Sequence, residues 1–311
     1  MTRRKITILI RIIEVALAFL TTIPSYTAAS GTGTTGAQFL RLGAGARPIA
    51  MGGAFTAVAD DANGPQYNPA GSAWVRNKEA MASYIDYLEG IKYGYIGYLQ
   101  PLNANSTLGL AYGYLDSGAI DRTDVAGSAI GTFSSTQSLG ILTYARSFGD
   151  KFALGTNLKL FQQIIEDEKA GGYAFDLGTQ YKVRPQFVLG LAVQNIGPGV
   201  TFVKEKDPLP VTIKLGALYM FMEDTLNISG DAKYQPKENS KISENVGAEY
   251  WVSRNLALRI GYDTASISDI ENFTGVSAGM GFKISGLTLN YAWMPYGILG
   301  DTHRISLGFK W

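Results

Sequence analysis

The chain has 311 residues, including 37 Gly and 18 Tyr but no Cys, and a formal net charge of +1. Charged residues make up 17 %, below the roughly 25 % usual in soluble domains, while a mean hydropathy near zero is too polar for a bundle of membrane helices. Without Cys there are no disulfides, thiol nucleophiles or thiolate metal sites, and the near-neutral balance argues against nucleic acid or anionic substrates as the main partner.

Residues 1–29 read as a secretory signal. Arg3, Arg4 and Lys5 form a basic start, Ile12 to Leu20 an apolar stretch, and Thr27-Ala28-Ala29 a run of small residues suited to cleavage. Arg11 and Glu14 interrupt the apolar stretch, so an amphipathic anchor helix is the competing reading. No cysteine follows the cleavage site, which excludes a lipoprotein and points to export in a bacterium with an outer membrane. Gly31-Thr32-Gly33-Thr34-Thr35-Gly36 matches the dinucleotide fingerprint in letters, but it follows no strand and opens no βαβ unit, so it reads as a linker.

Residues 30–77 lack alternation and are rich in Gly and Ala. Gly52 and Gly53 suit close backbone packing in a crowded interior. Asp60, Asp61 and Asn63 suit turns in which the side chain bonds its own backbone. Asn68 can cap a short helix that begins at Pro69, with Gly71 just inside it. Arg47 is placed to pair with one of the two aspartates. The favoured reading of all these residues is structural, the folding of a plug; contact with a ligand or cation is the alternative.

The blocks Leu42-Gly43-Ala44-Gly45-Ala46-Arg47, Met51-Gly52-Gly53-Ala54-Phe55-Thr56-Ala57-Val58-Ala59-Asp60-Asp61-Ala62-Asn63 and Tyr67-Asn68-Pro69-Ala70-Gly71 resemble the amino-terminal signature of the PorV/PorQ family of outer-membrane proteins, relatives of FadL-type long-chain fatty acid transporters. The resemblance implies a 14-stranded barrel with its amino terminus tucked into the lumen. It also implies one of two tasks. PorV-like proteins act in type IX secretion, receiving cargo with a carboxyl-terminal signal and passing it to surface attachment; FadL-like proteins let hydrophobic molecules diffuse through a plugged barrel.

Residues 78–311 carry fourteen segments of alternating hydrophobicity, so the fold class expected is all-β, an antiparallel transmembrane barrel. Tight turns at Gly149-Asp150, Arg184-Pro185, Glu223-Asp224, Ser253-Arg254 and Ser285-Gly286 alternate with longer connectors at Ser117 to Gly131, Glu166 to Gly172, Gly197 to Pro210, Thr264 to Asn272 and Pro295 to Asp301. Outer-membrane barrels have this asymmetry of short periplasmic turns and longer outer loops. Period two divides each strand into faces. Lys214, Asp231, Lys233, Glu249, Arg259, Asp263 and Arg304 fall on the face opposite the apolar residues, which makes them the lumen set. Lys92 to Leu99 and Gln137 to Tyr144 are apolar on both faces, as strands packed against a plug would be. Fourteen strands enclose more space than wall side chains can fill.

The last strand places Ile305, Leu307, Phe309 and Trp311 on one face, resembling the terminal signal by which such barrels are recognised for insertion. Among chemical candidates, Glu166-Asp167-Glu168 reads as a solvated hairpin tip. His303 is the sole histidine, on the outward parity with no well-placed serine beside it. No enzyme activity, metal or cofactor is therefore expected. Outer-membrane lipid, the barrel-assembly machinery and either secreted cargo or other secretion subunits are the expected partners. The function expected is type IX secretion, with uptake of hydrophobic molecules as the alternative.

Overall fold

The computed structural model describes residues 35–202, 204–236, 242–266 and 275–311; the expected leader at 1–29 and most of the Gly31 to Gly36 run lie outside the described residues. In chain order the strands are β1 (Glu79–Asp86), β2 (Lys92–Asn103), β3 (Ser106–Asp116), β4 (Ile120–Thr123), β5 (Ala129–Phe133), β6 (Ser135–Phe148), β7 (Phe152–Ile165), β8 (Glu168–Arg184), β9 (Phe187–Ile196), β10 (Val200–Phe202), β11 (Glu205–Asp207), β12 (Thr212–Phe221), β13 (Leu226–Tyr234), β14 (Ile242–Trp251), β15 (Leu256–Asp263), β16 (Val276–Ile284), β17 (Leu287–Pro295) and β18 (Asp301–Lys310). Fourteen of them close into one antiparallel barrel, while β4-β5 and β10-β11 are separate two-stranded hairpins within connectors.

Closure removes the edge that the last strand would otherwise expose. β1 pairs with β18 from Glu79 opposite Lys310 to Asp86 opposite His303, and Lys78 and Trp311 exchange two backbone hydrogen bonds of 3.1 Å. Alternation is visible all round. Leu258 and Ile260 are exposed while Ala257 and Arg259 are buried; Leu289 and Leu307 are exposed while Asn290 and Ser306 are buried. Apolar side chains thus cover the outside, the band that membrane barrels turn toward hydrocarbon. No helix among the described residues is long and apolar enough to cross a membrane.

The two ends differ. At the end holding Lys78 and Trp311, turns are tight, and Ser285 and Gly286 adopt φ of 47° and 85°, as a two-residue hairpin turn matched to strand twist requires. At the other end, the connectors depart from the sequence reading in one respect: Glu166 to Gly172 is not a loop. β7 and β8 stay paired out to Ile165 opposite Glu168, leaving only Glu166-Asp167 at the tip. The glycines that suggested a loop have a packing role. Gly172 lies opposite Phe161, and a Cβ there would stand 2.8 Å from that ring.

The barrel axis is occupied by residues 35–77, a run of short helical turns at Gln38–Arg41, Ala46–Ala50, Gly64–Tyr67 and Pro69–Trp74. On the β2, β6 and β7 side, Tyr93, Tyr95, Leu99, Leu139, Ile141 and Phe161 point inward and pack with Phe39, Leu40, Ala44 and Ala62. The Lys92 to Leu99 and Gln137 to Tyr144 stretches of β2 and β6 are apolar on both faces because one face meets the outside and the other meets the plug.

A cation on the outer band has no such partner. Ile260→Lys, at the middle of β15, is expected to destabilise the barrel by about 2–4 kcal/mol in lipid vesicles, read from urea unfolding. Loss of less than about 1 kcal/mol would mean this face does not meet hydrocarbon.

Candidate functional site

A segment without regular structure has backbone groups that no helix or sheet satisfies, and burying them unpaired is costly. The wall supplies the partners. Asp231 Oδ2 accepts from the amides of Phe55 and Thr56 at 3.0 Å each and from the Thr56 hydroxyl at 2.6 Å. Gln180 donates to the carbonyls of Thr56 and Ala57, and Gln194 to those of Gln66 and Tyr67. Ser229 donates to Ala54 O at 2.8 Å, and Ser277 accepts from Gly52 N at 3.1 Å. Asn245 donates to Gly52 O.

Contact this close requires a wall without side chains, and glycines provide it. Gly155 lies opposite Gly178, Gly190 opposite Gly216, and Gly247 opposite Gly261. A Cβ at Gly155 would overlap Pro69, one at Gly190 the Thr56 carbonyl, and one at Gly261 the Gly52 nitrogen. These three pairs form seats for successive turns of the plug.

The charged centre is Arg47. Its Nε and Nη2 donate to the two oxygens of Glu249 at 2.8 and 3.0 Å, the planar fork that a guanidinium makes on a carboxylate. Its Nη1 reaches Asp60 and Asp61 at 2.5 and 2.8 Å. On the wall, Glu249 also accepts from Arg259 at 2.7 Å, and Arg259 donates to Asn290 at 2.9 Å. One network thus ties two plug turns to β14, β15 and β17. Burial alone would raise the Asp61 carboxyl; the Arg47 guanidinium overrides it and holds the group below its ordinary value of 3.8. Asp61 also accepts from the amide of Asn63 at 2.9 Å, closing the turn. Asn68 caps Pro69–Trp74 by accepting from Ala70 N at 3.1 Å, and its amide donates to Thr56 O and Thr179 O. Gly71 backs onto the Ala59 carbonyl, and Gly53 adopts φ 78° beside Asn245.

A second ion pair escaped the sequence reading. Lys159 and Asp176 meet at 2.8 Å, both fully buried, with Asn195 bonding each of them. Asn195 has φ 62°, tolerated by Asn, where β9 slips register against β8. Lys159 and Asp176 hold the inward parity of β7 and β8, so face parity applied to those strands would have found them. Of the remaining lumen set, Lys233 pairs with Asp263 at 3.0 Å. Lys214 and Arg304 line a cavity between the plug and the long-loop end of the wall.

Other candidates fall outside this site. Ile305, Leu307, Phe309 and Trp311 lie exposed on the outer wall, with Trp311 stacked on Phe309 at 5.3 Å. His303 Nδ1 shares a 2.8 Å hydrogen bond with the Tyr291 hydroxyl on the same exposed face. Glu166 at the β7-β8 tip pairs with Arg122 of the β4-β5 hairpin.

The model of a family described as type IX secretion system protein PorV matches residues 26–235, spanning the plug and the wall as far as β13. None of the curated protein sequences compared with the chain matches it. Solved structures share its fold. The toluene transporter TbuX of Ralstonia pickettii aligns with TM-score 0.62 and 13 % identity, over 86 % of this chain and 98 % of that one. The P. putida toluene transporter TodX gives 0.60 and 12 %, over 86 % and 99 %. A Pseudomonas aeruginosa FadL homologue gives 0.53 and 11 %, over 82 % and 95 %.

Glu249→Gln leaves two buried guanidinium groups short of a counter-charge and is expected to cost about 3–5 kcal/mol in urea unfolding. Gly261→Val should unseat the plug, seen as new proteolytic cleavage within residues 37–75 of a barrel that still resists protease. Asp61 is held below its unfolded value, so its contribution is complete at neutral pH and disappears as pH falls through the folded value, under 3.8. Asp61→Asn should accordingly flatten the acid limb of plug protection against protease; an unchanged limb would show that other carboxylates set it.

Proposed function

We propose that this chain, which belongs to the PorV family, is a non-enzymatic outer-membrane barrel that handles cargo in type IX secretion. The observation that carries the reading is the extent of the family match, residues 26–235, which takes in the whole plug and most of the wall that holds it. The geometry supports it. The plug is hydrogen-bonded to β7, β8, β9, β13, β14, β16 and β18, packed against β2 and β6 and seated on glycines, which suits a docking body better than a conduit.

In this reading the apolar band lies in outer-membrane lipid, inserted there by the barrel-assembly machinery. The tight turns face the periplasm and the longer connectors face outward, where secreted proteins or other secretion subunits are met. The uptake of hydrophobic molecules remains the second reading. It draws on the transporters that share the fold, whose 12 and 13 % identity extends to architecture alone.

Deletion of this chain from its host is expected to leave proteins with a carboxyl-terminal secretion signal in the periplasm, with surface display restored by the intact chain. Surface display unchanged by the deletion, together with slower uptake of toluene or long-chain fatty acid, would overturn the secretion reading in favour of transport.

A further inference from the structure

Between the plug and the long-loop end of the wall lies a cavity of about 320 Å³, at the lower edge of the range for small-molecule sites. Among the described residues its charge is one-sided. Lys214, Lys233 and Arg304 line it, with Asp263 as the carboxylate among its lining residues. Lys214 of β12 sits directly opposite Lys233 of β13, an arrangement of like charges that costs stability on a sheet. Asp263 answers Lys233 at 3.0 Å, whereas no described carboxylate stands within ion-pair distance of Lys214; its ammonium lies 5.5 Å from the centre of the Tyr67 ring.

Of the carboxylates nearby, Asp60, Asp61 and Glu249 are held by Arg47. Asp231 spends its Oδ2 on the plug backbone, and although its Oδ1 has no hydrogen-bond partner, it forms no ion pair with Lys214. On the opposite wall, Arg304 is buried and donates from Nη1 to Gly43 O at 3.3 Å, while its Nε has no partner. Buried cationic donors left in this state call for an anion. Tyr67, Tyr87, Tyr296 and Met294 supply apolar surface in the same cavity. The near-zero net charge of the whole chain conceals this excess among the described residues.

We propose that the cavity binds a small organic carboxylate, its charged group at the Lys214–Lys233 pair and its body against the tyrosines, with Arg304 offering a donor at the far side. This goes beyond the secretion reading and stands or falls without it. The full chain in dodecyl maltoside should bind benzoate by calorimetry and gain thermal stability saturably, while benzyl alcohol, matched in size but neutral, should do neither. Lys214→Met should weaken benzoate at least tenfold, and because it relieves the like-charge contact it should leave the empty barrel no less stable. Equal binding of benzyl alcohol, full affinity in the variant, or no benzoate binding by the native chain would overturn the proposal. Binding of inorganic phosphate but not benzoate would overturn the assignment to a carboxylate. Should the variant not fold, the comparison of benzoate with benzyl alcohol on the native chain decides alone.

Discussion

The enclosed backbone of residues 35–77 is the constraint from which most of the interior follows. A barrel of fourteen strands is too wide for its own side chains to fill, and the segment that fills it is too irregular to satisfy its own amides and carbonyls. The wall must therefore present hydrogen-bonding side chains at defined heights, while remaining thin enough elsewhere for backbone to touch backbone. Asp231, Gln180, Gln194, Asn245 and Ser229 meet the first demand, and the glycine pairs meet the second. Neither set works alone. Side chains all round would hold the plug away from the wall, and glycines all round would leave its polar groups unpaired.

The ion pairs follow from the same enclosure. A buried guanidinium is stabilising only when its donors are nearly all used, and Arg47 uses its Nε and both Nη atoms on three carboxylates. Glu249 in turn serves two guanidinium groups. Replacement by apolar residues could be equally stable, so the value of this centre lies in position. A fork on a carboxylate fixes both distance and plane, which sets the height and rotation of the Ala46–Ala50 turn against β14 and β15.

Much of this was legible in the sequence, and for identifiable reasons. Strand number and closure follow from alternation, because in a membrane barrel a side chain on the wrong face is penalised in every strand. The signature from Leu42 to Gly71 is legible because close packing restricts it to small residues and turn formers. The Glu166 to Gly172 segment was misread because glycine marks loops in most settings, whereas Gly172 is there to admit the Phe161 ring. Lys159 and Asp176 were overlooked for a different reason. They share the inward parity of β7 and β8 with Asn157, Gln163 and Gln180, so parity isolates both charges, and the reading by face had not been carried to these two strands. Pairing partners such as Arg47 with Glu249, 202 residues apart in the chain, have no local signal at all.

The distribution of those contacts bears on how such a barrel can work. Expelling the plug would strip the backbone bonds to Asp231, Gln180 and Gln194 and separate Arg47 from Glu249 together, since all of them hold one continuous segment. The wall offers no easier opening, for the fourteen strands close round the barrel; Pro101, the proline inside β2, sits at a register shift next to a tight turn, and the slip between β8 and β9 at Asn195 is bridged by Lys159 and Asp176. Change is cheapest at the long-loop end, where the β4-β5 and β10-β11 hairpins stand outside the barrel ladder and a cavity already separates plug from wall. Rearrangement at that end would leave the bonds of Asp231, Gln180, Gln194 and Glu249 to the plug intact, so the seat of the plug and the outer connectors are separable parts of one chain.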